Sequence, residues 1–368
     1  MKIKAISLTH FRNFDFFQLE FNQDINIFIG KNAQGKTNLI ESFYVLSLCR
    51  SFRTHISKQL IQFDQPFARV KGTIEANHRQ LALEVILNDK NKRAKMNGND
   101  IMKTSDFVGY LNVVVFTPDD LSLVKGGPGQ RRRFIDLELS KVSPIYLFNL
   151  SKYNRLLKER NKFLKLMKEK HLINDPYLEV LNEQLALLQV DLIKKRLNFI
   201  HQLTLLAEVV YQKIANNQEH IHLEYKSFIK LDLDNLYDSI LKRYEKNIER
   251  DLRYMSTQDG IHKDDMKIFM NDYDAFDYAS QGQQRTIVLA IKIALLELIK
   301  NEIGEYPVLL LDDVLSELDD SRKEMLLNLL NQKIQTFITT TSLDDIDQKI
   351  LKNASIFVIE EGKLKEEK

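Results

Sequence analysis

The segment Gly30-Lys31-Asn32-Ala33-Gln34-Gly35-Lys36-Thr37 constrains this chain most, because it fits the pattern G-x-x-x-x-G-K-[ST]. The apolar run Ile25–Ile29 ends at Gly30, and Asn38–Leu48 has helical spacing, with Leu39, Phe43, Leu46 and Tyr44 on one face. A loop between a strand and a helix aims backbone N–H groups at an anion, and the helix N-terminus reinforces it. Gly30 and Gly35 permit that backbone, Lys36 carries an ammonium for the β- and γ-phosphates, and the Thr37 hydroxyl is a candidate Mg²⁺ ligand. A chance glycine-rich turn lacks this flanking pattern.

Further candidates lie far downstream. Val308–Leu311 reads as a buried strand that delivers Asp312 and Asp313 to the sheet edge where α/β proteins bind ligands. Asp312 is placed to hold Mg²⁺ and Asp313 to orient or deprotonate a water. Alone, any buried strand followed by an acidic turn matches; an upstream phosphate loop makes the pattern specific. Ser280-Gln281-Gly282-Gln283-Gln284 stands just before the apolar Arg285–Ile299 helix, and it reads either as an anion-binding nest or as an ordinary N-cap at Ser280.

The organisation is α/β and split. Ile3–Leu8, Phe17–Phe21, Arg69–Ala76 and Gln80–Leu87 alternate as strands, Asn88-Asp89 and Asn97-Gly98 mark turns, and Asn112–Phe116 is a buried-type strand. Glycine is absent from Pro144 to about Ala215, where Ile145–Lys170 and Tyr177–Ile214 read as two long packed helices, with Asp175 and Pro176 starting the second. The second would extend roughly 57 Å. Ser321–Leu330 reads as a helix, Thr336–Thr340 and Ile356–Glu360 as strands, and the charged end as a frayed tail. We therefore expect a head in two pieces, residues 1–120 (phosphate loop, β-rich lobe) and 256–368 (signature segment, acidic strand), with a helical arm inserted over 121–255.

Charge and cysteine content narrow the setting. With 53 basic and 51 acidic residues there is no global polyelectrolyte signal, so a DNA surface must come from local clusters. Candidates are Arg131-Arg132-Arg133 with Lys125 and the series Lys152, Arg155, Lys158, Arg160 and Lys162, for both of which a solvated or salt-bridged face is the competing reading, and the group Arg50, Arg53 and His55. The single cysteine, Cys49, excludes an internal disulfide framework, and no run reaches the roughly 18 apolar residues of a membrane span. The start of the chain does not read as a signal peptide, so a cytoplasmic location is expected. His262 alone reads as a structural hydrogen-bond partner.

On these motifs the chain resembles the ABC-type P-loop ATPases of chromosome maintenance, the group that includes SMC, Rad50 and RecF. The resemblance to the RecF family covers the whole chain. It rests on Leu8-Thr9-His10-Phe11-Arg12-Asn13-Phe14, Val115–Leu121, Lys125–Asp136, Gly260-Ile261-His262-Lys263-Asp264-Asp265 and Asp312–Asp319. Ile261 stands where that family usually has proline, and Phe52 where histidine is common. The resemblance implies ATP and Mg²⁺ as cofactors, with Arg12 and Asn13 near the nucleotide. It also implies that Ser280, Gly282 and Gln283 meet the γ-phosphate bound to a second subunit, with Ser316-Glu317-Leu318-Asp319 touching that subunit. An ATP-dependent homodimer would then clamp duplex DNA or single-strand/duplex junctions. Weak, DNA-stimulated hydrolysis would release it, RecR, RecO and RecA would be partners in recombinational repair, replication restart and SOS induction, and no membrane would be involved. The alternatives are a transporter ATPase subunit and a purely structural ATP-gated clamp. Asp313 in place of a catalytic glutamate, Thr340 near a switch-histidine position and the lack of a clear Q-loop glutamine favour slow turnover.

Overall fold

The computed structural model describes residues 1–367 apart from 173–174, 216–218, 320–321, 324–325, 327–333 and 345. Two compact units result, one of residues 1–120, 213–216 and 292–368, the other of 121–212 and 217–291. In chain order the strands are β1 (Lys2–Phe11), β2 (Phe14–Glu20), β3 (Ile25–Ile29), β4 (Phe67–Ala76), β5 (Arg79–Asn88), β6 (Lys92–Met96), β7 (Asn99–Ile101) and β8 (Val113–Phe116). Then follow β9 (Ile221–Lys226), β10 (Asp265–Met270), β11 (Tyr273–Asp274), β12 (Val308–Asp312), β13 (Thr336–Thr340), β14 (Ala354–Glu360) and β15 (Lys363–Glu367).

The first unit contains two six-stranded sheets. One has the order β15-β14-β3-β13-β12-β8, with every pair parallel except the edge strand β15. β12 and β13 are buried at every position, as strands covered on both faces must be, so their sequences are runs rather than alternations. The other sheet, β2-β1-β4-β5-β6-β7, is antiparallel, and β4 alternates buried and open positions as a half-solvated strand does. Asn97-Gly98 makes the tight β6–β7 turn, as expected.

The helix Lys36–Leu48 touches strands of both sheets and is buried almost all round, not on the single expected face. Being covered on two sides removes the need for a polar face. Phe43 stacks on Phe337 at 4.4 Å between centroids, and Phe21 meets Phe337 edge-on at 4.8 Å. The charged end also differs from expectation: it is not frayed but forms β15, paired antiparallel with β14 across a turn at Glu361-Gly362. Backbone pairing and burial at Gly362 hold it, which charge content cannot reveal. The helix expected over Ser321–Leu330 lies largely outside the described residues.

The second unit holds the long helices Pro144–Glu169 and Pro176–Ile214, preceded by the helix Pro128–Val142. Their starts follow capping chemistry. Ser143 Oγ accepts from Tyr146 N, and Asp175 Oδ1 accepts from Tyr177 N at 2.8 Å ahead of Pro176. A three-stranded antiparallel sheet, β11-β10-β9, accompanies them.

Buried ion pairs tie these elements together and settle two basic candidates. Arg160 is fully buried: its Nε donates to Asn182 at 2.7 Å, its Nη1 to Asp251 at 2.7 Å and to Thr257 at 2.8 Å, and its guanidinium lies 4.6 Å from the Tyr244 ring centre. Arg131 grips Asp265 with two hydrogen bonds of 2.8 Å. Neither is a DNA-facing charge. Their neighbours Lys152, Arg155, Lys158 and Lys162 are exposed. An arginine that reads as one of a solvated series is internal wherever a helix turn points it at buried carboxylates.

Candidate nucleotide-binding site

The phosphate loop joins β3 to the Lys36–Leu48 helix. Gly35 has φ +111°, and a Cβ there would fall 2.6 Å from Asn13 Nδ2; a Cβ on Gly30 would fall 2.3 Å from Ile359 O. Both positions therefore exclude larger residues. No side chain caps the helix, so its first-turn N–H groups are left to whatever anion the loop receives. Lys36 Nζ donates to Gly30 O at 2.7 Å and Lys31 O at 3.0 Å, which keeps the ammonium inside the loop. Burial lowers the Lys36 pKa, and Asp313 and Asp312 pull it back.

The loop is braced from two directions. Asn13 Nδ2 donates to Gln34 O at 3.2 Å, and Asn38 Nδ2 donates to Asn13 Oδ1 at 2.8 Å. From the β14–β15 turn, Gly362 N donates to Gln34 O at 3.0 Å and Glu361 N to Gln34 Oε1 at 2.7 Å. Arg12 Nε and Nη2 grip the buried Glu41 at 2.8 Å each, and its Nη1 donates to Gln59 O at 2.7 Å. It thus anchors the helix behind the loop. Arg53 Nη1 donates to Asn38 Oδ1 at 2.8 Å, which sets it beside the phosphate loop.

The acidic strand meets the loop through Thr37. Thr37 Oγ1 donates to Asp312 Oδ1 at 2.9 Å, and Thr339 Oγ1 donates to the same oxygen at 2.9 Å. Thr339 Oγ1 also accepts from Asp313 N at 2.9 Å, and Asp313 sits at φ +53°. Burial raises the Asp312 pKa, while the hydroxyls of Thr339 and Thr37 lower it. Residue types alone did not single out Thr339. It pairs with Asp312 because β13 lies between β3 and β12, a sheet order no local signal reports. Gln34, by contrast, lay inside the motif, but its clasp by the C-terminal turn is a non-local contact.

Gly30–Thr37, Asn13, Asp312 and Asp313 thus lie together in the first unit. Ser280, Gly282 and Gln283 belong to the second, where they form their own constellation at the start of the helix Gln281–Ile303. Gln283 N donates to Ser280 Oγ at 3.3 Å and Ser280 N to Gln283 Oε1 at 2.8 Å, a reciprocal capping box. Ser316 Oγ donates to Asp313 O at 3.0 Å, which ties the following segment to the acidic strand.

Residues 2–365 match the family model described as the RecF/RecN/SMC N terminal domain. The DNA replication and repair protein RecF of Staphylococcus carnosus (strain TM300) is 44% identical over 368 residues, covering 99% of this chain and 100% of that one. The chain belongs to the RecF family. The RecF of Enterococcus faecalis (strain ATCC 700802 / V583) is 42% identical, at 99% and 98% coverage. The solved structure of the recombination mediator protein RecF-ATP in the RecFOR pathway superposes with a TM-score of 0.92 at 36% identity, covering 99% of this chain and 96% of that one. An Smc head domain from Pyrococcus furiosus superposes at 0.56 with 14% identity, which shows the ATPase-head fold alone. Among the described residues no helix is long and apolar enough to cross a membrane.

The RecF-type segment Gly260–Asp265 is structural. Tyr153 Oη lies 2.7 Å from His262 Nδ1, and His262 Nε2 lies 3.1 Å from Thr257 O. Burial lowers the His262 pKa to about 4, whereas burial raises that of Asp264 to about 6. A folded pKa below the unfolded value near 6.5 gives stability that is present above pH 6.5 and lost as pH falls through 4. Asp264 acts oppositely: its contribution is present below about pH 4 and lost as pH rises through 6. Comparing wild type with His262→Gln isolates the histidine. From pH 7 to pH 5 the wild type should lose about 2 kcal/mol more than the variant, read from urea midpoints. Equal losses would remove His262 from the acid response.

Proposed function

We propose that this chain is an ATP-dependent DNA-binding protein of recombinational repair and replication restart, in which ATP acts as a dimerisation switch. The observation that carries this reading is the chain of contacts from Thr37 to Asp312, Thr339 and Asp313 beside Lys36. The likeness to an ATP-bound RecF supports it. On this reading residues 1–120 and 256–368 work as the ATPase head and 121–255 as its helical arm, in the cytoplasm.

Two oxygen donors already 2.9 Å apart, Thr37 Oγ1 and Asp312 Oδ1, fit Mg²⁺, which takes few protein ligands beside water and phosphate oxygens. The ion would neutralise charge that develops on the phosphates. Gly30–Thr37 bind and orient the triphosphate, and Asn13 and Gln34 hold the loop's shape. Asp313 accepts the proton of the attacking water. Its short side chain and strained backbone leave little reach, which accords with slow turnover. Ser280, Gly282 and Gln283 supply donors to the γ-phosphate of a second subunit. The exposed Lys152, Arg155, Lys158 and Lys162 then serve as sequence-independent phosphate contacts on DNA. RecR and RecO are the partners this reading implies, through the RecFOR pathway named for the solved relative, and RecA through the family resemblance.

ATP turnover measured with and without gapped duplex DNA tests the reading. We expect slow hydrolysis that DNA stimulates, and a loss on the order of 100-fold in Asp313→Asn. Turnover indifferent to DNA would contradict it.

A further inference from the structure

The capping box at the start of the Gln281–Ile303 helix is completed by a residue that no motif contains. Glu219 stands ahead of β9, and its Oε1 accepts from Gln283 Nε2 at 2.5 Å. Its Oε2 accepts from the hydroxyl of Tyr211 at 2.6 Å, on the last turns of the Pro176–Ile214 helix. Tyr211 is fully buried, so this end of the bridge is rigid.

Glu219 is also held through its neighbours. His220 N donates to Asn271 Oδ1 at 2.8 Å and Asn271 N returns a bond to His220 O at 2.9 Å. Ile221 N donates to Glu208 Oε2 at 2.7 Å on the same long helix. The carboxylate is therefore fixed from the long helix and from the end of β10.

The chemistry of the Gln283 amide gives this bridge a consequence. An amide has one accepting and one donating end. Its Oε1 receives the Ser280 N–H, and its Nε2 faces Glu219. A flipped amide would set its NH₂ against the Ser280 N–H and its oxygen against a carboxylate, two repulsive contacts. Glu219 thus selects the one orientation of Gln283 that caps Ser280.

We propose that Glu219 is a positioning residue for the composite nucleotide site: by bridging Tyr211 and Gln283 it fixes the signature segment in the form that meets a second subunit's ATP. This rests on the trans reading of Ser280 given above. It also makes the end of the long helix a direct determinant of that segment's geometry.

The test is sedimentation velocity of the full chain over an ATP series, for wild type, Glu219→Ala, Glu219→Gln, Gln283→Ala and the double variant Glu219→Ala/Gln283→Ala. Losing a charge-assisted bond, Glu219→Ala should raise the ATP concentration for half-dimerisation about tenfold. Glutamine at 219 can accept from Gln283 and donate to Tyr211, so Glu219→Gln should stay within about twofold of wild type. The double variant should be no worse than Gln283→Ala, because Glu219 acts through Gln283. A wild-type midpoint in Glu219→Ala overturns the proposal, as does failure of glutamine to rescue, or additivity in the double variant. A wild type that ATP does not dimerise overturns the trans reading itself.

Discussion

Arg160→Ala should destabilise the protein by about 3–5 kcal/mol, whereas Lys158→Ala, two residues away, should stay within about 0.5 kcal/mol of wild type. The difference is one of surroundings. Arg160 is fully buried and, among the described residues, is the one basic side chain at hydrogen-bond distance from Asp251, which is only 1% exposed. Burial already raises the Asp251 pKa, and the Arg160 guanidinium is the main influence opposing it. Removing the arginine strands a buried carboxylate and empties the space over the Tyr244 ring. Lys158 projects to solvent, where losing a charge changes little. Urea denaturation of the two variants separates them. If Arg160→Ala kept wild-type stability but lost DNA affinity, the arginine would belong to a binding surface after all.

Lys36→Met should lower ATP affinity on the order of 100-fold while leaving the nucleotide-free protein as stable as wild type or slightly more so. The two halves of this prediction have one cause. The ammonium is held among the carbonyls of Gly30 and Lys31, and burial lowers its pKa, so the charge is a burden on the fold. Methionine of similar length removes that burden and also the donor that phosphate oxygens require. Titration calorimetry with ATP and a melting curve without it read the two effects. Wild-type affinity in Lys36→Met would remove the lysine from the site.

How far the sequence told this in advance depended on how local each signal was. The strand Ile25–Ile29, the phosphate loop and the strand Thr336–Thr340 stand where they were expected, because strands covered on both faces read as mostly apolar or β-branched runs. The long helices also agree to within a residue at each end, since caps at Ser143 and Asp175 are local chemistry. Contacts between distant segments were invisible. Thr339 is ordinary until the sheet order sets it beside Asp312. Arg160 is one cation in a series until Asp251 meets it. Glu219 matches no motif, and β15 looks like a charged tail. For three of these the deciding partner is remote in sequence, 27 residues for Asp312–Thr339, 64 for Glu219–Gln283 and 91 for Arg160–Asp251, while β15 is fixed by pairing with the adjacent β14. Arg12 also grips Glu41, 29 residues away on the helix that follows the phosphate loop, a contact that its motif does not reveal. An arginine beside a loop motif is drawn to whichever carboxylate is buried nearest.

In the proposed composite site, Lys36 of one subunit and Ser280 of another share one ATP. Sedimentation velocity of wild type, Lys36→Met and Ser280→Arg, each with and without ATP, measures it directly. We expect ATP to convert wild type from monomer to dimer and both variants to remain monomeric, Ser280→Arg while still binding ATP. Dimerisation of Ser280→Arg at the wild-type ATP concentration, or a wild type that stays monomeric with ATP bound, would contradict it.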